Sequence, residues 1–148
     1  MTTELLQQVR VIDPVSGTDQ TADVLIDNGY IRSVMNHISD VPNDTHIKDC
    51  HGLVLGPGLV DLYSHSGEPG FEERETLVSL LQAAAAGGFT RISILPDTSP
   101  VIDHPAVAVQ LQKRGHGDKE NSPPLLQVWG AISLDVAGKQ MTELVDLA

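Results

Sequence analysis

Residues 53–70, LVLGPGLVDLYSHSGEPG, decide how this chain is read. An apolar run over residues 53–60, broken only by Gly56-Pro57-Gly58, leads into Asp61 and then into a turn rich in glycine and proline around His65. Apolar residues without alternation suit a strand buried on both faces, as parallel strands are. Downstream the same grammar returns. Residues 72–86 have helical composition, and Gly87-Gly88 stops them, as glycine does just past a helix end. Residues 90–95 read as a strand closed by Pro96, 105–113 as a helix, 125–132 as a third strand and 139–148 as the start of a third helix. This alternation predicts right-handed βαβ units and an α/β fold with a parallel sheet.

Upstream the pattern is different. Residues 9–12 end at Asp13-Pro14 and Ser16-Gly17, and residues 22–26 end at Asp27-Asn28-Gly29. Asn-Gly between two strands is a hairpin signal, because both central positions of the turn take positive φ. Residues 30–34 return as a third strand, and 36–46 are polar and irregular. The expectation is an antiparallel β unit over 1–55 without a helix, then a β/α part over 56–148. The last residues read as an amphipathic helix, and three parallel strands leave open sheet edges. The β/α part is therefore expected to be the front of a longer (β/α) barrel, with a small complete α/β domain as the alternative.

Bulk properties narrow the function. The chain has 148 residues, 41% of them hydrophobic, which is enough for a core. Nine basic against 20 acidic residues give a net charge of −11. That argues against a nucleic-acid or anionic-membrane surface, which would need a basic patch. A single cysteine, Cys50, rules out a disulfide within the chain and reads as an inert buried thiol. No apolar run reaches the ~18 residues of a membrane span, and no secretory signal is evident. A cytoplasmic setting is expected.

The chemistry-bearing candidates gather around the opening stretch. A strand end presents alternate residues to one side, so positions 63 and 65 can face one point. Position 65 is His65, but position 63 is Tyr63. Tyrosine is a poor zinc ligand at neutral pH because its phenol titrates near 10. Asp61 either orients the turn or reaches a metal. Asp97 suits a cap on the turn Thr98-Ser99-Pro100, and Asp103 suits the N-cap of the helix near Pro105. His37, His46, His51, His104 and His116 lie outside any ligand spacing and read as surface residues. Trp129 reads as core.

Residues 52–77 together with AAAAGGFTRISILPDTSPVIDHP, residues 83–105, closely resemble dihydroorotases of the amidohydrolase superfamily. The segment VIDPVSGTDQTADVLIDNGYI, residues 11–31, resembles the N-terminal β part of the same family. The resemblance implies a β-sandwich portion followed by the first three βα units of a (β/α)8 barrel. It implies zinc at the C-terminal strand ends, activating a water whose pKa falls to about 7, and the interconversion of carbamoyl aspartate and dihydroorotate. It also implies further metal ligands beyond residue 148.

Set against that pattern, the family's first histidine falls on Tyr63 and its second is retained as His65. The arginine that clamps the substrate carboxylate falls on Gly67, and the asparagine after the second strand falls on Asp97. Asp61 and Glu68-Pro69-Gly70 match the family. The exchanges predict His65 as a vestigial ligand and zinc absent or weakly held. The leading reading is a non-catalytic or truncated homologue of pyrimidine biosynthesis, acting as a scaffold. Its partner would be aspartate transcarbamoylase or a second copy of the chain. The alternative is an active zinc-dependent cyclic amidohydrolase hydrolysing a ring amide, either a dihydroorotase or an enzyme with a hydantoin-like or allantoin-like substrate that no longer needs the arginine.

Overall fold

The computed structural model describes residues 3–115 and 124–147. His116 and most of the expected loop 114–124 lie outside them. The chain divides into two compact units, one up to Pro57 and one from Gly58.

The first unit is a sheet of β1 (Thr3–Asp13), β2 (Thr18–Asp27), β3 (Tyr30–Met35), β4 (His46–Asp49) and β5 (Val54–Leu55). Its order is β3-β2-β1-β4, with β5 also on β1. The β2–β3 hairpin turns at Asn28 (φ 51°) and Gly29 (φ 79°), as the Asn-Gly signal requires. The expectation of a purely antiparallel unit is corrected, because β4 and β5 both run parallel to β1. The physical reason is length. β1 spans 11 residues, so its first half pairs with β4 and its second half with β5. The polar Gln7, Gln8 and Arg10 hide that length in an apolar pattern.

β1 is bulged between Leu6 and Val9, where Gln8 takes a φ of 57°. The bulge is held by Asp23, which is fully buried. Its carboxylate accepts hydrogen bonds from the backbone N–H of Gln8 (2.9 Å) and Ile38 (3.0 Å), and His37 Nδ1 lies 3.2 Å away. Burial pushes the Asp23 carboxyl up. The Gln8 and Ile38 N–H groups and His37 outweigh it, so the group stays below the ordinary aspartate value. Val9, Val24 and Cys50 form the core of this unit, with Leu6, Val11, Ile26 and Leu55 packed against them.

The second unit carries β6 (Leu59–Ser64), α1 (Leu77–Ala86), β7 (Phe89–Ile94), α2 (Pro105–Gly115), β8 (Leu125–Val128) and a short α3 (Leu144–Leu147). The strands lie in the order β6-β7-β8 and all are parallel, as the alternating pattern predicts. Leu77 and Leu81 of α1, Leu111 of α2, Ile92 and Ile94 of β7 and Leu126 of β8 meet Ile102 in one core. The i, i+4 spacing of the leucines and the i, i+2 spacing of the isoleucines put these side chains on the facing surfaces of helix and sheet.

Four expected elements end differently. The apolar run 53–60 is split between β5 and β6, since Pro57 has no N–H to give a ladder. α1 starts at Leu77, not at residue 72, because Thr76 is its N-cap. The Thr76 hydroxyl accepts from Ser79 N–H, and the Ser79 hydroxyl accepts from Thr76 N–H. β8 stops at Val128, and Trp129 is half exposed rather than core. Its indole N–H donates to the Leu62 carbonyl (2.9 Å), an acceptor in the irregular stretch of β6 between Asp61 and Ser64. The third helix shrinks to Leu144–Leu147, since a bridge between Ser133 and Met141 and a 3₁₀ turn at Leu134–Val136 hold the chain before it.

Candidate functional site

The C-terminal ends of β6 and β7 bring the candidate residues together. His65 directly follows β6, and Asp97 lies in the loop after β7. The two loops are tied to each other. Ser99 N–H donates to the Pro69 carbonyl (2.9 Å), and Gly70, at φ 101°, packs so closely that a Cβ would sit 2.2 Å from the Ser99 carbonyl oxygen. Only glycine meets both demands. The Glu-Pro-Gly turn therefore has a backbone role.

His65 Nδ1 lies 2.6 Å from Asp97 Oδ2. Both are open to solvent, with side-chain exposures of 66% and 50%. The Tyr63 ring stands edge-on to the His65 ring, centroids 5.9 Å apart. Asp97 thus spends its carboxylate on His65 rather than on capping the 98–100 turn, where the Thr98 hydroxyl bonds the Pro100 carbonyl instead. Asp61 turns back on its own chain. It accepts from Tyr63 N–H and from the Ser64 hydroxyl, both at 2.8 Å. Those two bonds, the backbone one foremost, hold its carboxyl below the ordinary aspartate value.

Gly67 is a site of close approach. A Cβ there would lie 2.5 Å from the Glu75 carbonyl oxygen and 2.8 Å from that of Phe71. The 71–75 turn has moved into the space a side chain at 67 would need, and Phe71 N–H donates to the Gly67 carbonyl (2.6 Å). A cleft of about 280 Å³ remains between His65, Gly67 and Asp97 on one side and Phe71, Arg74 and Glu75 on the other. Arg74 lies over the Phe71 ring at 4.7 Å. It brings a cation to the cleft, though Glu75 and Asp97 bring two carboxylates.

Sequence reasoning missed three partnerships here. Arg74 gave no motif. Glu68 accepts from Leu77 N–H at the start of α1 (2.9 Å) and pairs with Arg114 at the end of α2. The His65–Asp97 contact joins residues 32 apart. No local signal exists for contacts at such separations. Asp103 was expected to cap α2. Instead it accepts from Asp135 N–H (2.8 Å), and His104 Nδ1 takes the Ala106 N–H (3.2 Å). His37 is exposed as expected but pairs with Asp23.

The donor set does not fit a zinc ion. Position 63 is a tyrosine and Asp61 is committed to its own turn, which leaves His65, through Nε2, as a lone imidazole rather than one of a pair. Among the described residues no three His, Cys, Asp or Glu side chains are grouped to hold a metal. No helix among them is long and apolar enough to cross a membrane.

The mixed α/β arrangement is one found in amidohydrolases. It matches L-hydantoinase (dihydropyrimidinase) from Arthrobacter aurescens with a TM-score of 0.70, at 24% identity, over 90% of this chain and 28% of that one. It matches molinate hydrolase with a TM-score of 0.61, at 19% identity, over 89% of this chain and 30% of that one. No family model matches the chain. Curated sequences are more specific. The dihydroorotases of Syntrophus aciditrophicus (strain SB) and Pelobacter propionicus (strain DSM 2379 / NBRC 103807 / OttBd1) are 41% and 43% identical, each over 97% of this chain and 33% of their own length. A probable dihydroorotase-like protein of Synechocystis sp. (strain ATCC 27184 / PCC 6803 / Kazusa) is 36% identical over 99% of this chain and 37% of its own length. Over nearly its whole length the chain is thus similar to curated dihydroorotases. It spans about a third of the length of the curated relatives it matches.

Proposed function

We propose that this chain is a non-catalytic dihydroorotase-like protein of pyrimidine biosynthesis that serves as a scaffold. In this reading the first unit is part of a β-sandwich, and β6 to β8 with their helices are the first three βα units of a (β/α)8 barrel. The supporting observation is the fate of the strand-end carboxylates and imidazole. Asp61 and Asp97 are engaged within the protein, His65 meets Asp97 through Nδ1, and the first imidazole of the family pattern is replaced by Tyr63. Asp97 also sets a carboxylate in the cleft where the family's substrate places its own, and like charges repel. Gly67 supplies no cation, and the 71–75 turn occupies its place.

Metal analysis after dialysis, followed by turnover assays with dihydroorotate and carbamoyl aspartate in added zinc, tests the catalytic half of the proposal. The expected result is less than one zinc per chain and no conversion. Stoichiometric zinc with turnover that His65→Ala abolishes would replace it with an active cyclic amidohydrolase. The scaffold half names aspartate transcarbamoylase as the partner, which rests on the family resemblance. Light scattering on the mixed purified proteins should give one species of defined combined mass; two unshifted species reject that half.

A further inference from the structure

We infer that Asp97 is a positioning residue that fixes His65 as its Nδ1–H tautomer and turns Nε2 into a standing hydrogen-bond acceptor. This goes beyond the preceding proposal and holds whether or not the chain turns over a substrate. The exchange at position 97 then changes a role rather than only losing one.

The geometry carries it. His65 Nδ1 and Asp97 Oδ2 are 2.6 Å apart, a hydrogen bond slightly shorter than the ~2.7–2.9 Å usual for a charge-assisted N–H···O contact. A carboxylate only accepts, so the proton between them sits on Nδ1. A neutral imidazole carries one proton, and the hydrogen bond at one ring nitrogen decides the state of the other. Nε2 is left with its lone pair. The ring is also fixed from a second side by Tyr63, which meets it edge-on at 88°. Asp97 is itself held in a loop anchored at Ser99 on the Pro69 carbonyl, so the carboxylate is delivered by backbone rather than by chance contact of two free side chains. Both residues line the same cleft with Arg74, so the pair borders a space that a small ligand can enter. An asparagine at 97 could offer Nδ1 either an oxygen or an amide N–H, and would not fix the tautomer. Aspartate leaves one choice.

Nitrogen-15 spectra of the imidazole groups test this on the whole chain, at a pH well above the ordinary imidazole value of about 6.5. The His65 signals are assigned by their loss in His65→Gln. The expected wild-type pattern is Nδ1–H with an unprotonated Nε2. In Asp97→Ala that pattern should be lost in favour of Nε2–H or a mixture. Asp103→Ala, whose carboxylate serves Asp135 N–H, should leave it unchanged. A wild-type His65 protonated on Nε2 overturns the inference, and so does an Asp97→Ala spectrum identical to wild type. Should Asp97→Ala fail to fold, the wild-type spectrum alone decides. Zinc content and turnover are separate measurements, so failure here and failure of the functional proposal are told apart.

Discussion

Each unit of this molecule holds one aspartate against one histidine, and the two pairs do opposite work. Asp23 is fully buried, 3.2 Å from an exposed His37, and its carboxylate also receives two backbone N–H groups. Asp97 is half exposed and 2.6 Å from an exposed His65, and among the described residues no backbone N–H bonds it. Distance alone would rank the second pair as the stronger. Burial reverses the order. Removing Asp23 strands two N–H groups, that of Ile38 in a buried setting. Removing Asp97 returns His65 to water. The first pair fixes a bulge and the segment that follows β3. The second is free to act on something outside the chain.

The comparison is sharpest in stability. Asp23→Ala should cost the most, about 2–4 kcal/mol, from two stranded N–H groups at about 1–3 kcal/mol each with partial relief by water. Urea unfolding of the chain measures it, and a loss below that of Asp97→Ala would break the argument. The same residue sets an acid limb. Its folded carboxyl lies below the ordinary value, so its contribution is present above the unfolded value near 3.9 and is lost as pH falls through the lower folded value. Asp23→Asn should flatten that limb, and an unchanged pH profile would reject the assignment.

Gly67→Ala comes next, at about 1–3 kcal/mol, since a Cβ 2.5 Å from a backbone oxygen forces the 71–75 turn to move. Thermal unfolding reports the cost. An unchanged midpoint would mean the turn yields freely and the family arginine could be restored there without penalty. Thr76→Ala should cost about 1 kcal/mol through loss of the α1 cap, read by the same melt. Asp97→Asn should change stability least, by less than about 1 kcal/mol, as loss of a solvent-exposed polar contact does. A larger loss would show that this pair is structural after all and erase the contrast with Asp23.

The amino-acid order alone determined the broad architecture. Continuous apolar runs alternating with helical composition specified three parallel strands with helices between them, and Asn28-Gly29 specified the β2–β3 hairpin, because these signals act within a few residues. It also carried the likeness to dihydroorotases, through motifs in a fixed order, and the exchanges at Tyr63, Gly67 and Asp97. What it could not give were elements whose pairing depends on remote chain. β4 and β5 are too short to stand out and exist because β1 offers them an edge. The 139–148 pattern looked helical throughout, but Leu134 N–H donates to the Gln140 carbonyl and Thr142 to Ala131, which leaves a helix of four residues. The site followed the same rule. Sequence put His65 and Asp97 on neighbouring strand ends, and only the tertiary fold set them 2.6 Å apart, turned Asp61 onto its own backbone, closed the 71–75 turn over Gly67 and tied Glu68 to both α1 and Arg114. Local preference acts through neighbours along the chain, whereas a hydrogen bond between side chains 32 or 46 residues apart exists only once packing has fixed both ends.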